Sequence, residues 1–345
     1  MKIAIGYKII SGPWGGGNRF AISLSKYLES MGHEVSFDLR GKPDIILLTD
    51  PRSRLSNVSF GAGAIIRHLL FKNPDAIVIH RINEADERKN TNFMNKALIK
   101  ANYCADYTVF VGSWLTQLKT WKNSLHTPFR TILNGADQTI FNPEGFVPWN
   151  GDGVIRLVTH HWGGNWMKGF DVYSKLDKML EQPEWKDKVD FTYIGNLPKG
   201  FKFKNAKYIY PLDGKELADE LQRHHAYITA SINEPGGNHQ NEAGACGLPL
   251  LYRNSGCLPE YCHNSGLMFD TDSFEESLIR FINDYDNIII SLPKWQHTSK
   301  KTCEQYLQLF EELLSQRETV KDNRNLLRDP WVFIKNQISF ISRNG

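Results

Sequence analysis

The chain has 345 residues, 41% hydrophobic and 23% charged, with a formal net charge of +3. That length exceeds what one core ordinarily organises and suits about two domains, the near-balanced charge leaves no footprint for nucleic-acid binding, and no apolar run reaches the ~18 residues of a membrane span. The five cysteines (Cys104, Cys246, Cys257, Cys262, Cys303) form no Cys-x-x-Cys pair, and MKIAIGYKII lacks the long apolar core of a secretion signal, so a reduced cytoplasmic protein is expected.

Lys2 to Ile10 reads as a buried strand, followed by the glycine-rich turn SGPWGGGN. Phe20, Leu24, Tyr27, Leu28 and Met31 then recur at helical spacing, and Gly32 ends that helix. HEVSFDL, DIILLTD, DAIVIH, DYTVFVG and FRTILN continue as strands with helical patterns between several of them. Apolar runs of this length alternating with helices predict a parallel sheet covered on both faces. Residues 142–153, with two prolines and three glycines, read as a linker. The alternation restarts with VIRLVTHHW, DFTYIGN, KYIYPL, AYITAS and PLLYR as strands and FDVYSKLDKML and GKELADELQRHH as helices. Cys303, Tyr306, Leu307, Phe310, Leu313 and Leu314 form a helical face expected to close the second domain. The prediction is an α/β chain of two Rossmann-like, doubly wound domains, residues 1–145 and 151–325, with the ligand in the cleft between them. Pro330 starts a last amphipathic stretch in which Trp331, Ile334, Ile338 and Ile341 share a face, and a helix over 329–345 is expected to cross back to the first domain.

The strongest chemical signal is residues 231–260, SINEPGGNHQNEAGACGLPLLYRNSGCLPE. Glu234 falls in a turn after a strand, and Glu242 falls in a helix that begins near Asn238. Two carboxylates so placed can face one ligand and accept the paired hydroxyls of a sugar or ribose. Gly236 and Gly237 allow close backbone approach, and free amides suit a phosphate. Earlier, Lys168 opens a helix after HHWGGNWM. His80 and Arg81 end a strand, with Glu84, Asp86, Glu87 and Arg88 directly after, a polar cluster of the kind that gathers at strand C-termini.

Glu234, seven residues, Glu242, then AGACGLP resembles the signature of retaining glycosyltransferases of family 4, whose fold is the two-domain GT-B type. GCLPEY is similar to that family's Gly-x-Pro-Glu element, TILNGADQTIFNP to the element before its linker, and HHWGGNWMKGFDVY to the first strand and helix of its second domain. The resemblance implies a hexosyltransferase that takes a nucleoside diphosphate sugar and a glycan or lipid-linked acceptor, requires no metal or other cofactor, and keeps the anomeric configuration. It implies that Glu242 holds the ribose, Glu234 the donor sugar, and Gly236, Gly237 and Asn238 the sugar and phosphate. Lys168 would neutralise the diphosphate, His80 would stand near the anomeric centre, and Gly16 and Gly17 would belong to a loop approaching the donor. Arg81 and Asp86 are placed on the acceptor side. The arginine that most members carry before the lysine is missing, and His161 and Asn165 are the candidate substitutes.

Two other classes share this scaffold: sugar-nucleotide 2-epimerases and non-catalytic sugar-nucleotide or glycan-binding proteins. Asp270-Thr-Asp272 resembles a metal-binding Asp-x-Asp, but it leads into a helix, where Asp272 or Ser273 is expected as a cap. Cys257, Cys262 and His263 lack a second ligand pair at a zinc spacing. Peripheral contact with the inner membrane surface is compatible with the sequence.

Overall fold

The computed structural model describes residues 1–12 and 15–325. The chain divides into two compact units: among the described residues the first holds Met1–Ser11, Gly16–Leu133 and 300–325, and the second holds Asn134–Ser299 with Gly12 and Gly15. The expected tail helix at 329–345 lies outside the described residues.

The first unit is a six-stranded parallel sheet of β1 (Lys2–Ile5), β2 (Glu34–Ser36), β3 (Ile45–Leu48), β4 (Ile77–Ile82), β5 (Tyr107–Phe110) and β6 (Phe129–Thr131), in the order β2-β1-β3-β4-β5-β6. Successive side chains of a strand point to opposite faces, so a strand covered on both sides must be apolar throughout. Strand β3 shows this: Ile45 and Leu47 pack with Phe20, Leu24 and Leu28 of the helix Gly16–Ser30, whereas Ile46 and Leu48 pack with Ile65, Ile66 and Leu69 of the helix Ala62–Phe71. Met31, expected on the first helix's apolar face, falls just beyond the helix and is exposed.

One assignment changes. The helix Ser299–Ser315 does not close the second unit. Its Cys303, Tyr306, Leu307, Phe310 and Leu313 enter the first unit's core beside Ile3, Ile5 and Phe20. Helical periodicity shows which face is buried but not against what. The unit boundary falls after Leu133, so residues 134–145 also join the second unit.

The returning chain is pinned by a buried ion pair. Arg324 donates Nε to Asp106 Oδ1 at 2.8 Å and Nη2 to Asp106 Oδ2 at 2.9 Å, and it also donates to Pro74 O and Ala76 O, both at 2.7 Å. Asp106 in turn accepts from Val78 N at 2.8 Å. The arginine therefore ties the segment after the helix Arg317–Asp322 to the starts of β4 and β5.

The second unit repeats the plan with β7 (Ile155–His161), β8 (Val189–Gly195), β9 (Lys207–Ile209), β10 (Ala226–Thr229), β11 (Leu250–Arg253) and β12 (Gly266–Phe269), in the order β12-β11-β10-β7-β8-β9, all parallel. Strand β12 is not evident in the sequence: it is four residues long, sits at the sheet edge, and starts on Gly266 at φ 150°, with Leu250 O where a Cβ would lie. The core on one face gathers Leu157, Phe191 and Ile228 with Phe170, Tyr173 and Leu176 of the helix Phe170–Met179 and Phe274, Leu278 and Phe281 of the helix Phe274–Asn283. The chain leaves β7 toward β8 on one side and returns to β10 on the other. The C-terminal ends of β7 and β10 therefore border a topological switch point, where open α/β sheets form their binding crevice.

Two six-stranded parallel sheets with flanking helices are the expected pair of doubly wound Rossmann-like units. Removing one partner of a buried ion pair strands the other charge. Arg324→Ala is therefore expected to cost about 3–5 kcal/mol, read from urea midpoints, with Asp106→Ala similar. A loss under about 1 kcal/mol would show that this pair does not anchor the returning chain.

Candidate active site

At the switch point of the second sheet, β7 ends on His160 and His161. A 3-10 turn, Trp166–Lys168, follows. Gly169 adopts φ 100°, and a Cβ there would lie 2.6 Å from the backbone of Ala230, just beyond β10. Only glycine meets both demands. The close approach is sealed by Ile232 N donating to Met167 O at 2.8 Å, and it carries Lys168 to the turn that holds Glu234. Lys168 Nζ and a Glu234 carboxylate oxygen form a buried ion pair, with the two residues 6% and 4% exposed.

The other sequence motifs brace that turn. Asn233 has φ 51°, and its N–H donates to Ser255 Oγ at 2.9 Å. Gly256, at φ 58°, lies against Glu234, where a Cβ would be 2.5 Å from Glu234 N, and Cys257 N donates to Glu234 O at 2.9 Å. The GCLPEY element thus backs the glutamate. Asn134, from TILNGAD, donates Nδ2 to Gly236 O at 2.6 Å, and its own N–H donates to Tyr261 Oη at 2.7 Å. The helix His239–Ala245 follows Asn238, and Gly244 within it admits the Trp295 ring into the space a side chain would need.

Glu242 accepts from His160 Nε2 at 2.7 Å, and both side chains are buried. His239 bonds Thr229 Oγ1 through Nε2 at 2.8 Å, and its ring centroid is 4.6 Å from that of His161. Burial pushes His239 down to about 3. Burial, reinforced by His239, Lys168 and His160, holds His161 well below the usual histidine range. His161 is the expected stand-in for the missing phosphate-binding arginine. Its Nε2 lies 2.8 Å from Tyr173 Oη, and it is uncharged at neutral pH. Arg253 is also engaged locally, through Nη2 to Asp171 at 2.9 Å and Nη1 to Ala230 O at 3.1 Å.

Open polar atoms concentrate around the same carboxylates. In the second unit, the buried side-chain polar atoms without a hydrogen-bond partner among the described residues are His160 Nδ1, His161 Nδ1, Asn165 Oδ1, Ser231 Oγ, Asn238 Oδ1, Gln240 Oε1 and Asn241 Oδ1. All belong to the end of β7, the turn after it, or the segment after β10. Gln240 Nε2 donates to Gly237 O at 2.7 Å, and Asn241 Nδ2 to Asn134 O at 3.2 Å and Gly237 O at 3.1 Å, which leaves their carbonyl oxygens as the open groups. Buried polar groups are ordinarily satisfied, so such a concentration marks a place for a ligand or water. Most of these atoms are acceptors, which suits a partner rich in hydroxyl donors.

The first unit holds the remaining candidates. His80 and Arg81 do not end β4 but lie within it, so their side chains leave on opposite faces. His80 is 0% exposed, accepts from Asn102 Nδ2 at 3.2 Å through Nδ1, and is pushed down to about 3 by burial. Arg81 is buried, with its guanidinium 4.0 Å from the Phe20 ring centroid. Asp86 organises the next helix, Met94–Asn102: it accepts from Thr91 Oγ1 at 2.6 Å and from the N–H groups of Phe93, Met94 and Asn95 at 2.8–3.1 Å. Gly16 and Gly17 form the first turn of the helix Gly16–Ser30, with Gly17 against the Tyr7 ring.

Asp270 and Asp272 stand apart from this cluster, and the expected cap differs in detail. Ser273 precedes the helix Phe274–Asn283, but its hydroxyl donates to Asp270 O at 3.2 Å, while Asp270 Oδ1 accepts from Asn254 at 3.1 Å. Two cavities of the second unit, about 400 and 350 Å³, share Arg156 and Asp190 and so lie at the N-terminal ends of β7 and β8, away from the carboxylates. Residue spacing does not single out His160, Thr229, His239 or Tyr173 as members of the site. The repeated histidine in THHW, with one side chain on each sheet face, is the available signal for His160.

No protein-family model and no curated protein sequence matches the chain. Solved structures do resemble it. A sucrose-phosphate synthase from Thermosynechococcus elongatus is 15% identical with a TM-score of 0.60, over 92% of this chain and 98% of that one. HepE from Anabaena, solved in complex with UDP and glucose, is 12% identical with a TM-score of 0.64, over 90% and 99%. A glycosyltransferase from Rickettsia africae is 14% identical with a TM-score of 0.60, over 91% and 98%. These likenesses establish the GT-B type fold. Among the described residues, no helix is long and apolar enough to cross a membrane.

The depressed histidines link stability to acid. His80, His161 and His239 take up protons more weakly when folded than the ordinary value of 6.5, so below that pH the unfolded chain binds more protons. For His80 and His239 this stability is full above 6.5 and falls toward about 3, by about 1.4 kcal/mol per pH unit each, and His161 acts in the same direction. His80→Gln should flatten the urea-midpoint profile between about pH 6.5 and 5 by one histidine's share. An unchanged slope would show that His80 titrates normally in the folded chain.

Proposed function

We propose that the chain is a glycosyltransferase that moves a hexose from a nucleoside diphosphate sugar to a hydroxyl of a glycan or lipid-linked acceptor, with retained configuration and no metal requirement. The observation that carries this reading is the gathering of two buried carboxylates, one buried lysine and several open acceptor atoms at the switch point of the second sheet. The fold shared with sugar-nucleotide enzymes supports it, as does HepE, whose structure contains UDP and glucose.

In this reading Glu242 takes the ribose hydroxyls and Glu234 takes hydroxyls of the donor sugar. Gly236, Gly237 and Asn238 line the sugar, and Asn165 offers its open carbonyl oxygen in the turn that carries Lys168. Lys168 faces a carboxylate before the donor arrives, so a diphosphate gives it a second anion to hold. Charge grows on the leaving diphosphate as the glycosidic bond breaks, and a fixed cation lowers the energy of that state. The acceptor hydroxyl attacks from the side the diphosphate leaves, which keeps the configuration without a carboxylate nucleophile. His80 is held through Nδ1 by Asn102 Nδ2, which ties β4 to the helix Met94–Asn102.

The first test is thermal shift against UDP, ADP, GDP and their glucose conjugates, because a ligand that binds only the folded chain raises its melting temperature. A donor that shifts melting should then be consumed only when an acceptor is added. Turnover of donor alone would instead support an epimerase. Glu242→Gln should weaken nucleoside diphosphate binding by roughly 10- to 100-fold, the worth of about 1.5–3 kcal/mol in charged hydrogen bonds, while Glu234→Gln should chiefly slow turnover. Undiminished affinity in a folded Glu242→Gln chain would count against the ribose role. Turnover should also survive EDTA, since Lys168 supplies the positive charge; loss restored by manganese would overturn that part.

A further inference from the structure

We propose that His160 is the positioning residue for Glu242, setting the orientation of its carboxylate so that the chain selects ribose over deoxyribose in its nucleotide. The inference rests on the functional reading above and adds a residue to it. A glutamate side chain has several free torsions, and a carboxylate that must meet a ribose diol has to be held in one plane before the ligand arrives. A neighbouring imidazole does this here. His160 Nε2 stands 2.7 Å from Glu242 Oε2. A carboxylate only accepts, so Nε2 carries a proton and donates.

The imidazole is itself fixed. The Tyr227 hydroxyl grips the backbone of His160 on both sides, accepting from its N–H at 3.1 Å and donating to its carbonyl at 3.2 Å. The ring stands edge-on to Tyr227, with centroids 5.5 Å apart at 68°, and to His239, 6.3 Å apart at 86°. Glu242 is held at its backbone by a bond from its N–H to Asn238 O at 2.8 Å. The two ends of the dyad thus sit on different elements, β7 and the helix His239–Ala245, each fixed by its own backbone bonds. His160 Nδ1 is buried and has no partner among the described residues, so the ring's one side-chain hydrogen bond is the one to the carboxylate.

The test compares ribonucleoside and 2′-deoxyribonucleoside diphosphates on the full chain by titration calorimetry, using whichever of UDP, ADP and GDP binds most tightly. The unaltered chain should prefer the ribonucleotide by about tenfold or more, the scale of one charge-assisted hydrogen bond. His160→Ala should reduce that ratio to about threefold or less, with deoxynucleotide affinity nearly unchanged. His160→Gln, whose amide nitrogen reaches the place of Nε2, should restore the preference; His160→Asn, whose amide reaches the place of Nδ1, should not. If the alanine chain does not fold, the glutamine and asparagine chains decide the matter between them. Retention of the full ratio in His160→Ala, or rescue by asparagine in place of glutamine, would overturn the proposal. Failure of the unaltered chain to bind any of the three nucleotides would overturn the functional reading itself.

Discussion

The candidate site depends on one close approach of backbone to backbone. Gly169 stands so near Ala230 that no side chain fits between them, and it does so at a φ that favours glycine. That contact brings the turn after β7 against the turn after β10, and each turn delivers one charge: Lys168 from the first and Glu234 from the second. Two buried charges are tolerated only when each compensates the other, so the backbone geometry and the ion pair support one another. The same principle recurs at Gly256 beside Glu234 and at Gly244 beneath Trp295. In each case glycine is required by a neighbour from a distant part of the chain.

Around this contact the second unit builds a polar interior of unusual composition. His239 makes ring contacts with both His160 and His161, and Tyr173 and Tyr227 flank them. Desolvation keeps His161 and His239 uncharged, so they serve as hydrogen-bonding spacers and leave Lys168 as the buried cation facing Glu234. The arginine common in the family that the sequence resembles is absent, and Arg253 in the same unit braces Asp171 and Ala230. The buried charge of the site therefore centres on the Lys168–Glu234 pair.

Much of this is legible in the residues because its signals are local. Strand-like runs alternating with helical ones mark eleven of the twelve strands among the described residues, and the segment from Glu234 to Glu260 shows the turn, the helix and the second turn in order. Period-two and period-3.6 patterns report burial directly. The edge strand β12 escapes because it is short and lies at the sheet edge, where Leu267 is only partly buried and Met268 is exposed. His80 and Arg81 look like the end of a strand because polar residues usually mark one; the strand continues because Asn102 and Phe20 meet them from opposite faces.

Residue types at short spacing suffice for the α/β class, the repeat of the plan in two halves, and the segments that carry the chemistry. Everything else here required the packed chain. Packing sent the helix Ser299–Ser315 into the first unit, because an apolar face is the same whichever core receives it. It turned His161 inward and His160 toward Glu242, because adjacent strand residues face opposite sides and the packed sheet determines which side holds the carboxylate. It committed Asp86 to a helix start, because the competing donors come from residues brought near by the fold of the loop. Charge pairing, burial and the protonation they impose are properties of neighbours, and neighbours such as His160 and Glu242, 82 positions apart in the chain, are supplied by the fold.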